Sequence, residues 1–201
     1  MSYDYWKRVF DFFLACLLLF LSLPVFFSVF ILVLVTSKGG AFYYAERVGF
    51  RGKMFRMCKF RTMIKDADKN GGFSVPTDDK RVTKIGMILR KTKLDELPQL
   101  WNIIRGEMSF VGPRPEVKYY VSKFNDRERE ILSVPQGIFD YASIKFKNEA
   151  EILEKSKIMD KERAYEIEIW PEKKRLQMKY VREMGFFTDL KIILNAIRIV
   201  F

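Results

Sequence analysis

Apolar positions are concentrated at the start of this chain. From Phe12 to Val35 the run FFLACLLLFLSLPVFFSVFILVLV carries no charged residue. A helix of that length extends roughly 36 Å, enough to reach across a hydrocarbon core. The run is too long for a secretory signal peptide and no small-residue cleavage site follows it, so it reads as a membrane segment. Beyond it the period shortens. Ala41 to Ala45 and Met54 to Phe60 read as strands joined by a turn around Gly49 to Gly52, which predicts an antiparallel hairpin. At the end of the second strand Lys59 and Arg61 alternate with apolar neighbours and are expected to share one side, as on a solvated sheet face. Asp66 to Asp79, with Asn70, Gly71, Gly72 and Pro76, reads as a loop.

Helical spacing then takes over. One helix is expected from Arg81 to Lys91, and a second with Thr92 as its cap, Leu97, Leu100, Trp101 and Ile104 as its apolar stripe, and Gly106 as its stop. Ser109 to Pro115 reads as a constrained loop. Further helices are expected at about Glu116 to Phe124, Arg127 to Leu132, Glu149 to Met159, Pro171 to Met184 and Phe187 to Phe201. The last sets Leu190, Ile193, Ile197 and Val200 against Asp189, Lys191 and Arg198, a pattern that suits a bilayer surface or docking onto the core. The fold class expected is α/β, mostly helical with a small antiparallel hairpin. Residues 1–38 form the membrane helix and residues 39–201 the domain outside it.

Charge adds a topology. Lys7 and Arg8 precede the apolar run, and Lys38, Arg47, Arg51, Lys53 and Arg56 follow it, so the basic-flank rule asks both ends to stay on the cytoplasmic side. Pro24 near the middle removes a backbone donor, and Ser22 offers a hydroxyl to the freed backbone. A re-entrant helix satisfies both observations; a kinked span with a short outside tail is the alternative. The net charge of +11, from 36 Lys and Arg against 25 Asp and Glu, suits anionic partners. There is no groove-reading or base-stacking motif, and the anchor favours anionic lipid and phosphorylated substrates over nucleic acid. With no histidine in the chain, an imidazole base, a Ser-His triad and a His-ligated metal are excluded. Cys16 and Cys58 have no metal or redox spacing, so oxygen ligands remain.

The chemistry-bearing stretch is Lys93 to Pro115, KLDELPQLWNIIRGEMSFVGPRP. Asp95 and Glu96 fall in the first turn of the expected helix, where the dipole stabilises each anion by about 0.3–1 kcal/mol, so both are expected to be ionised. Successive positions do not face one another, which gives the two acids different roles. A carboxylate can attack phosphorus or hold a divalent metal, and Arg114, fixed between Pro113 and Pro115, offers a planar fork to phosphate. Dipole complementation alone explains the same acids from spacing.

Several ordered motifs decide between these readings. A basic and apolar N-terminal helix with Pro24, Arg47 in ERVGF, KFRTM at Lys59 to Met63, Arg90, LDELPQLWN at Leu94 to Asn102 and GEMSFVGPRP at Gly106 to Pro115 together resemble the bacterial sugar transferase family. These are monotopic phosphoglycosyl transferases that begin glycan assembly on a polyprenyl phosphate carrier. The resemblance implies a re-entrant anchor and a catalytic domain at the cytoplasmic face of the bacterial inner membrane. There, sugar 1-phosphate passes from a UDP-sugar to polyprenyl (undecaprenyl) phosphate and UMP is released. It implies Asp95 as the nucleophile and as a ligand of Mg2+, and Glu96 as the residue that positions or deprotonates the acceptor. It implies Arg114, Arg90 and Lys59 as phosphate-binding residues, and Ser22 with Pro24 as the helix break. The implied partners are UDP-sugar, polyprenyl phosphate and membrane lipid, not nucleic acid.

Two departures stand out. Ser22-Leu23-Pro24 replaces the family's adjacent Ser-Pro. The usual Arg-Pro-Gly-Ile-Thr-Gly stretch is replaced by Val134-Pro135-Gln136-Gly137-Ile138-Phe139-Asp140, for which altered sugar preference is expected rather than lost chemistry. A competing reading is an inert membrane anchor that recruits glycan-assembly enzymes. A broken acidic pair would mark it, and here both acids and Arg114 are present.

Overall fold

The uncharged run forms most of one 34-residue helix, α1 (Tyr3–Thr36), in a computed structural model that describes residues 3–67 and 79–200. Phe13, Leu17, Phe20, Leu21, Phe27, Ile31, Leu34 and Val35 are exposed along it. By length and composition this helix could cross a membrane. The break expected at Ser22 and Pro24 does not interrupt it: Pro24 lies inside α1, and Ser22 Oγ donates to the Leu19 carbonyl at 3.1 Å. Away from water, unpaired backbone groups are costly, which favours continued helical bonding around a proline.

Both ends of α1 pack against the rest of the chain. Near the start, Lys7 pairs with Asp189, Arg8 donates to the carbonyls of Ile103 and Ile104, and Ala15 is buried. Near the end, Val29 and Val33 share a buried cluster with Phe60 and Leu89. The two basic residues read from sequence as flanking charges are therefore docking contacts.

The hairpin forms as expected, with β1 (Phe42–Val48) antiparallel to β2 (Met54–Phe60) and Phe42 opposite Phe60. Lys59 and Arg61 part company, however. Lys59 turns to the acidic pair, whereas Arg61 donates to the carbonyls of Gly40 and Phe42 at 3.1 and 3.0 Å. Most of the loop expected over Asp66 to Asp79 lies outside the described residues. The next helix, α2 (Lys84–Lys91), starts later than its apolar pattern suggested, because Thr83 caps it by accepting from Gly86 N at 2.9 Å.

Thr92 is not the N-cap of the helix that follows. Its hydroxyl donates to the Ile88 carbonyl at 2.9 Å, so it closes α2, and Lys93 then turns left-handed with φ 58°. The acidic pair lies in a separate 3-10 turn, Leu94–Glu96, and α3 (Gln99–Ile104) begins after Pro98. On α3, Leu100 and Ile103 face the core, while Trp101 is 54% exposed.

The segment read as a loop after Gly106 contains β3 (Ser109–Val111). This strand pairs in parallel with β4 (Gly137–Phe139), a second small sheet that three-residue strands do not announce in sequence. Around it pack α4 (Lys118–Ser122), α5 (Tyr141–Lys145), α6 (Glu149–Lys155), α7 (Lys161–Ala164), α8 (Trp170–Glu183) and α9 (Phe186–Val200). The short α5 and α7 were not expected, and Arg127 to Leu132 forms a 3-10 helix, Glu128–Ser133. One face of α9 docks onto the core, as the second reading expected: Ile192 and Ala196 are buried, while Phe187, Leu190, Leu194 and Ile197 remain exposed. The described fold is mostly helical with two small sheets.

Asn102 joins the hairpin to α3. Its Oδ1 accepts from Cys58 N at 2.9 Å, and its Nδ2 donates to the Arg56 carbonyl and to Glu107 at 2.8 and 2.7 Å. Asn102→Ala leaves buried backbone groups unpaired, at an expected cost of about 2–3 kcal/mol. In detergent this should lower the melting temperature by roughly 5–10 °C, and an unchanged melt would contradict the assignment.

Candidate active site

The site is built on the short acidic turn. Its bonds are of the i→i+3 type, with Glu96 N donating to Lys93 O at 3.1 Å and Leu97 N to Leu94 O at 3.3 Å. The left-handed Lys93 sets the direction of the turn. The Asp95 residue is buried at 6% exposure, and Glu96 points toward cations from two other segments.

Glu96 is the hub. Lys59 Nζ donates to its Oε1 at 3.0 Å, and Arg114 engages both carboxylate oxygens, Nη1 reaching Oε2 at 3.3 Å and Nη2 reaching Oε1. Burial opposes the charge on Glu96, but Arg114 and Lys59 outweigh it and hold the carboxyl well below the usual range. Glu96 in turn raises Arg114 above an ordinary guanidinium. Lys59 moves the other way, because burial lowers it more than Glu96 restores it.

Asp95 behaves differently from its sequence neighbour. Burial pushes its carboxyl up, against the pull of Lys59 and Arg90, and it accepts no hydrogen bond from the described residues. The expectation that both acids share the benefit of a helix dipole is corrected here, because the turn is a 3-10 turn ahead of α3 and burial sets Asp95.

Arg114 is positioned by residues that its own motif does not contain. Its Nη1 donates to the Ile138 carbonyl at 3.3 Å, its backbone N lies 3.4 Å from Asp140 Oδ2, and its carbonyl accepts from Gln177 Nε2 at 3.4 Å. Asp140 also caps α5 through Ser143 N at 2.6 Å. Just after β3 the chain comes very close to the segment that leads into β4: a Cβ on Gly112 would lie 2.2 Å from the Pro135 carbonyl oxygen. The divergent segment therefore forms the wall that holds Arg114.

Arg90 reaches the site from α2, its Nε donating to Thr62 Oγ1 at 2.9 Å. That approach requires a glycine, since a Cβ on Gly86 would sit 2.0 Å from the Thr62 carbonyl oxygen. Burial lowers Arg90 while Asp95 and Asp79 pull it back up; a guanidinium remains charged regardless. Sequence reasoning named Lys59, Arg90, Asp95, Glu96 and Arg114, and the fold gathers all five. It missed Thr62, Asn102, Asp140 and Gln177, whose contacts span 26 to 63 residues of chain. Ser22 and Pro24 make none of these contacts. Beside α3 lies a cavity of about 680 Å³, with Leu23 and Phe26 of α1 on one side and Pro98 and Trp101 on the other.

Among the described residues there is no group of three or more acids or thiols of the kind that forms an all-protein metal cage. Magnesium does not require one. It is commonly held by one or two carboxylates with substrate phosphates and water, and the Asp95 carboxylate is a hard oxygen donor with no hydrogen-bond partner among the described residues.

A family model described as bacterial sugar transferase matches residues 2–201. A Bacillus subtilis (strain 168) protein named putative undecaprenyl-phosphate N-acetylgalactosaminyl 1-phosphate transferase is 43% identical over 120 residues, covering 60% of this chain and 67% of its own. The same organism's EpsL, named an uncharacterized sugar transferase, is 32% identical over 192 residues, 96% of this chain and 85% of its own. An Aeromonas hydrophila UDP-N-acetylgalactosamine-undecaprenyl-phosphate N-acetylgalactosaminephosphotransferase is 36% identical over 126 residues, 63% of this chain and 30% of that protein.

The charge balance at Lys59 has a measurable sign. Burial lowers its pKa and Glu96 raises it, so Glu96→Gln lowers it further and leaves more free amine at a given pH. Acylation of Lys59 by an amine reagent, followed by peptide mass spectrometry, should begin at lower pH in the variant. A shift to higher pH would contradict the pairing.

Proposed function

This chain belongs to the bacterial sugar transferase family and is a transferase, and on that premise we propose that it moves a sugar 1-phosphate from a UDP-sugar to membrane polyprenyl phosphate, releasing UMP. The observation that carries the reading is Asp95: a buried carboxylate flanked by Lys59 and Arg90, without a hydrogen-bond partner among the described residues, and beside a neighbour whose charge is fully engaged. An inert anchor has no use for that arrangement.

In the first step one Asp95 oxygen attacks the sugar-bearing phosphorus. The bond from that phosphorus to the bridging oxygen breaks, and UMP leaves with the electron pair. In the second step a phosphate oxygen of the polyprenyl acceptor attacks the same phosphorus and the Asp95 carboxylate is released. Mg2+, held by Asp95 and phosphate oxygens, would supply neutralisation of the developing charge. Arg114 and Arg90 hold the pyrophosphate, and Lys59 faces the same space. Glu96 positions rather than deprotonates: two cations hold its carboxyl so low that it is a weak base, while it fixes both cations in place. Phosphoryl transfer depends mainly on such positioning and charge stabilisation.

The acceptor stays in the bilayer and the nucleotide sugar stays in water, so the site works at the cytoplasmic face of the bacterial inner membrane. A re-entrant α1 serves this placement. From Lys7 to Val33 a straight helix would run about 39 Å, longer than the hydrocarbon core of about 30 Å, yet both ends pack on the same folded unit. A straight span would carry that unit's polar surface through lipid. Pro24, where sharp helix bends commonly occur, supplies a place to turn.

Two outcomes test this reading. Asp95→Asn should lower UMP release from a panel of UDP-sugars by about 10⁴-fold and abolish any phosphosugar adduct, whereas Arg114→Ala should lose about 10²-fold with the fold retained. Normal turnover by Asp95→Asn would overturn the covalent step. For the anchor, a cysteine at residue 2, with Cys16 and Cys58 replaced, should resist an impermeant thiol reagent applied from the periplasmic side. Labelling there would overturn the re-entrant placement.

A further inference from the structure

The inner stripe of α1 is interrupted. Lys7, Asp11 and Ala15 are buried at four-residue spacing, and Val29 and Val33 resume the pattern toward the other end. Leu19, Leu23 and Phe26 continue the series between them at helical intervals, so they point to the same side. None of the three is buried. They line the cavity of about 680 Å³, where α1 stands off the folded unit between its two docking regions. Phe26 closes one end, its ring centroid 5.0 Å from that of Phe60 and 6.1 Å from that of Phe42. Cavities of about 300–1,000 Å³ commonly hold one small ligand.

The facing wall is mixed. Trp101 and Phe42 supply apolar surface, and Arg56 and Arg105 bring two guanidinium groups to the same cavity. Arg105 pairs with Glu107 at 3.3 Å. Arg56 is exposed, and its side chain has no partner among the described residues although Glu46 lies opposite it in the hairpin register. Apolar surface on a membrane helix, facing an unpaired cation, matches an amphiphile that carries phosphate. The reacting lipid does not fit this place. Side chains alternate along β2, so Arg56 and Cys58 face the cavity while Lys59 faces Glu96 on the other side of the hairpin. A phosphate on Arg56 is thus separated from the Lys59 and Glu96 pair by the thickness of the hairpin.

We propose that the cavity is a binding site for an anionic phospholipid of the bilayer, distinct from the site of the acceptor. One acyl chain lies against Leu19, Leu23, Phe26 and Trp101, and the headgroup phosphate takes the guanidinium of Arg56. The lipid completes the seam that protein side chains leave open, and so ties α1 to α3 and the hairpin. The inference rests on α1 lying in the bilayer, as the proposed reaction requires, and not on the identity of the nucleophile.

Full-length protein stripped of lipid in detergent, titrated with phosphatidylglycerol and read by native mass spectrometry, tests the site. One saturable molecule is expected, together with a rise in melting temperature. Arg56→Gln, at an exposed position, should keep the lipid-free melting temperature and bind about fivefold more weakly, the scale of one cation at a lipid surface. Leu23→Trp fills the cavity and should abolish both the saturable binding and the lipid-dependent rise. Parental binding by either variant overturns the inference. So does equal affinity for phosphatidylcholine, and so does displacement by equimolar undecaprenyl phosphate, which would give the cavity to the acceptor. UMP release measured on the same samples separates the claims. Protein that releases UMP yet binds no phosphatidylglycerol loses only the lipid site, whereas protein that binds it and releases no UMP loses only the proposed reaction.

Discussion

The carboxylate of Glu96, held between Lys59 and Arg114, is the interaction on which the rest of the site depends. It fastens together three segments far apart in sequence: the end of the hairpin, the acidic turn and the proline-flanked loop. Burying charges is expensive unless each is paired, and removing one member of such a group leaves the others uncompensated. With Arg90 included, three cations act on the acidic pair, and one of its carboxylates, Asp95, is free of hydrogen bonds from the described residues. Asp95 and Glu96 are adjacent in sequence and opposite in environment, one raised by burial and the other lowered by its partners.

That cluster is mechanically tied to the apolar helix. Arg8 of α1 donates to the last carbonyls of α3, where a cation also complements the helix dipole, and α3 carries the acidic turn at its other end. Lys7 and Asp189 join α1 to α9, whose exposed face is itself apolar. The apolar helix and the acidic turn therefore belong to one packed unit. In the proposed reaction, that unit lets a lipid-borne acceptor and a water-borne donor meet without either leaving its phase.

Much of this was legible in the chain because it rests on local pattern or on unbroken motifs. The 24-residue uncharged run, the hairpin and the amphipathic C-terminal helix follow from periodicity, and Lys59, Arg90, Asp95, Glu96 and Arg114 from ordered motifs. The misreadings have identifiable causes. A threonine ahead of Asp-Glu fits an N-cap, yet Thr92 spends its hydroxyl closing the preceding helix, and no residue pattern marks Lys93 as left-handed. Strands of three residues are too short to show alternation. The divergent stretch from Val134 to Asp140 looked like a lost arginine, but in space it supplies the Ile138 carbonyl and the Asp140 carboxylate that hold Arg114. Contacts of that kind are properties of the fold, not of any local stretch of sequence.

The central claim is that transfer occurs in two steps through Asp95. Exchange of labelled UMP into UDP-sugar, measured with magnesium and with polyprenyl phosphate omitted, tests it most directly, since a covalent intermediate makes the first half-reaction reversible on its own. The two-step account predicts exchange without acceptor. Efficient transfer to polyprenyl phosphate accompanied by no exchange in its absence would contradict it.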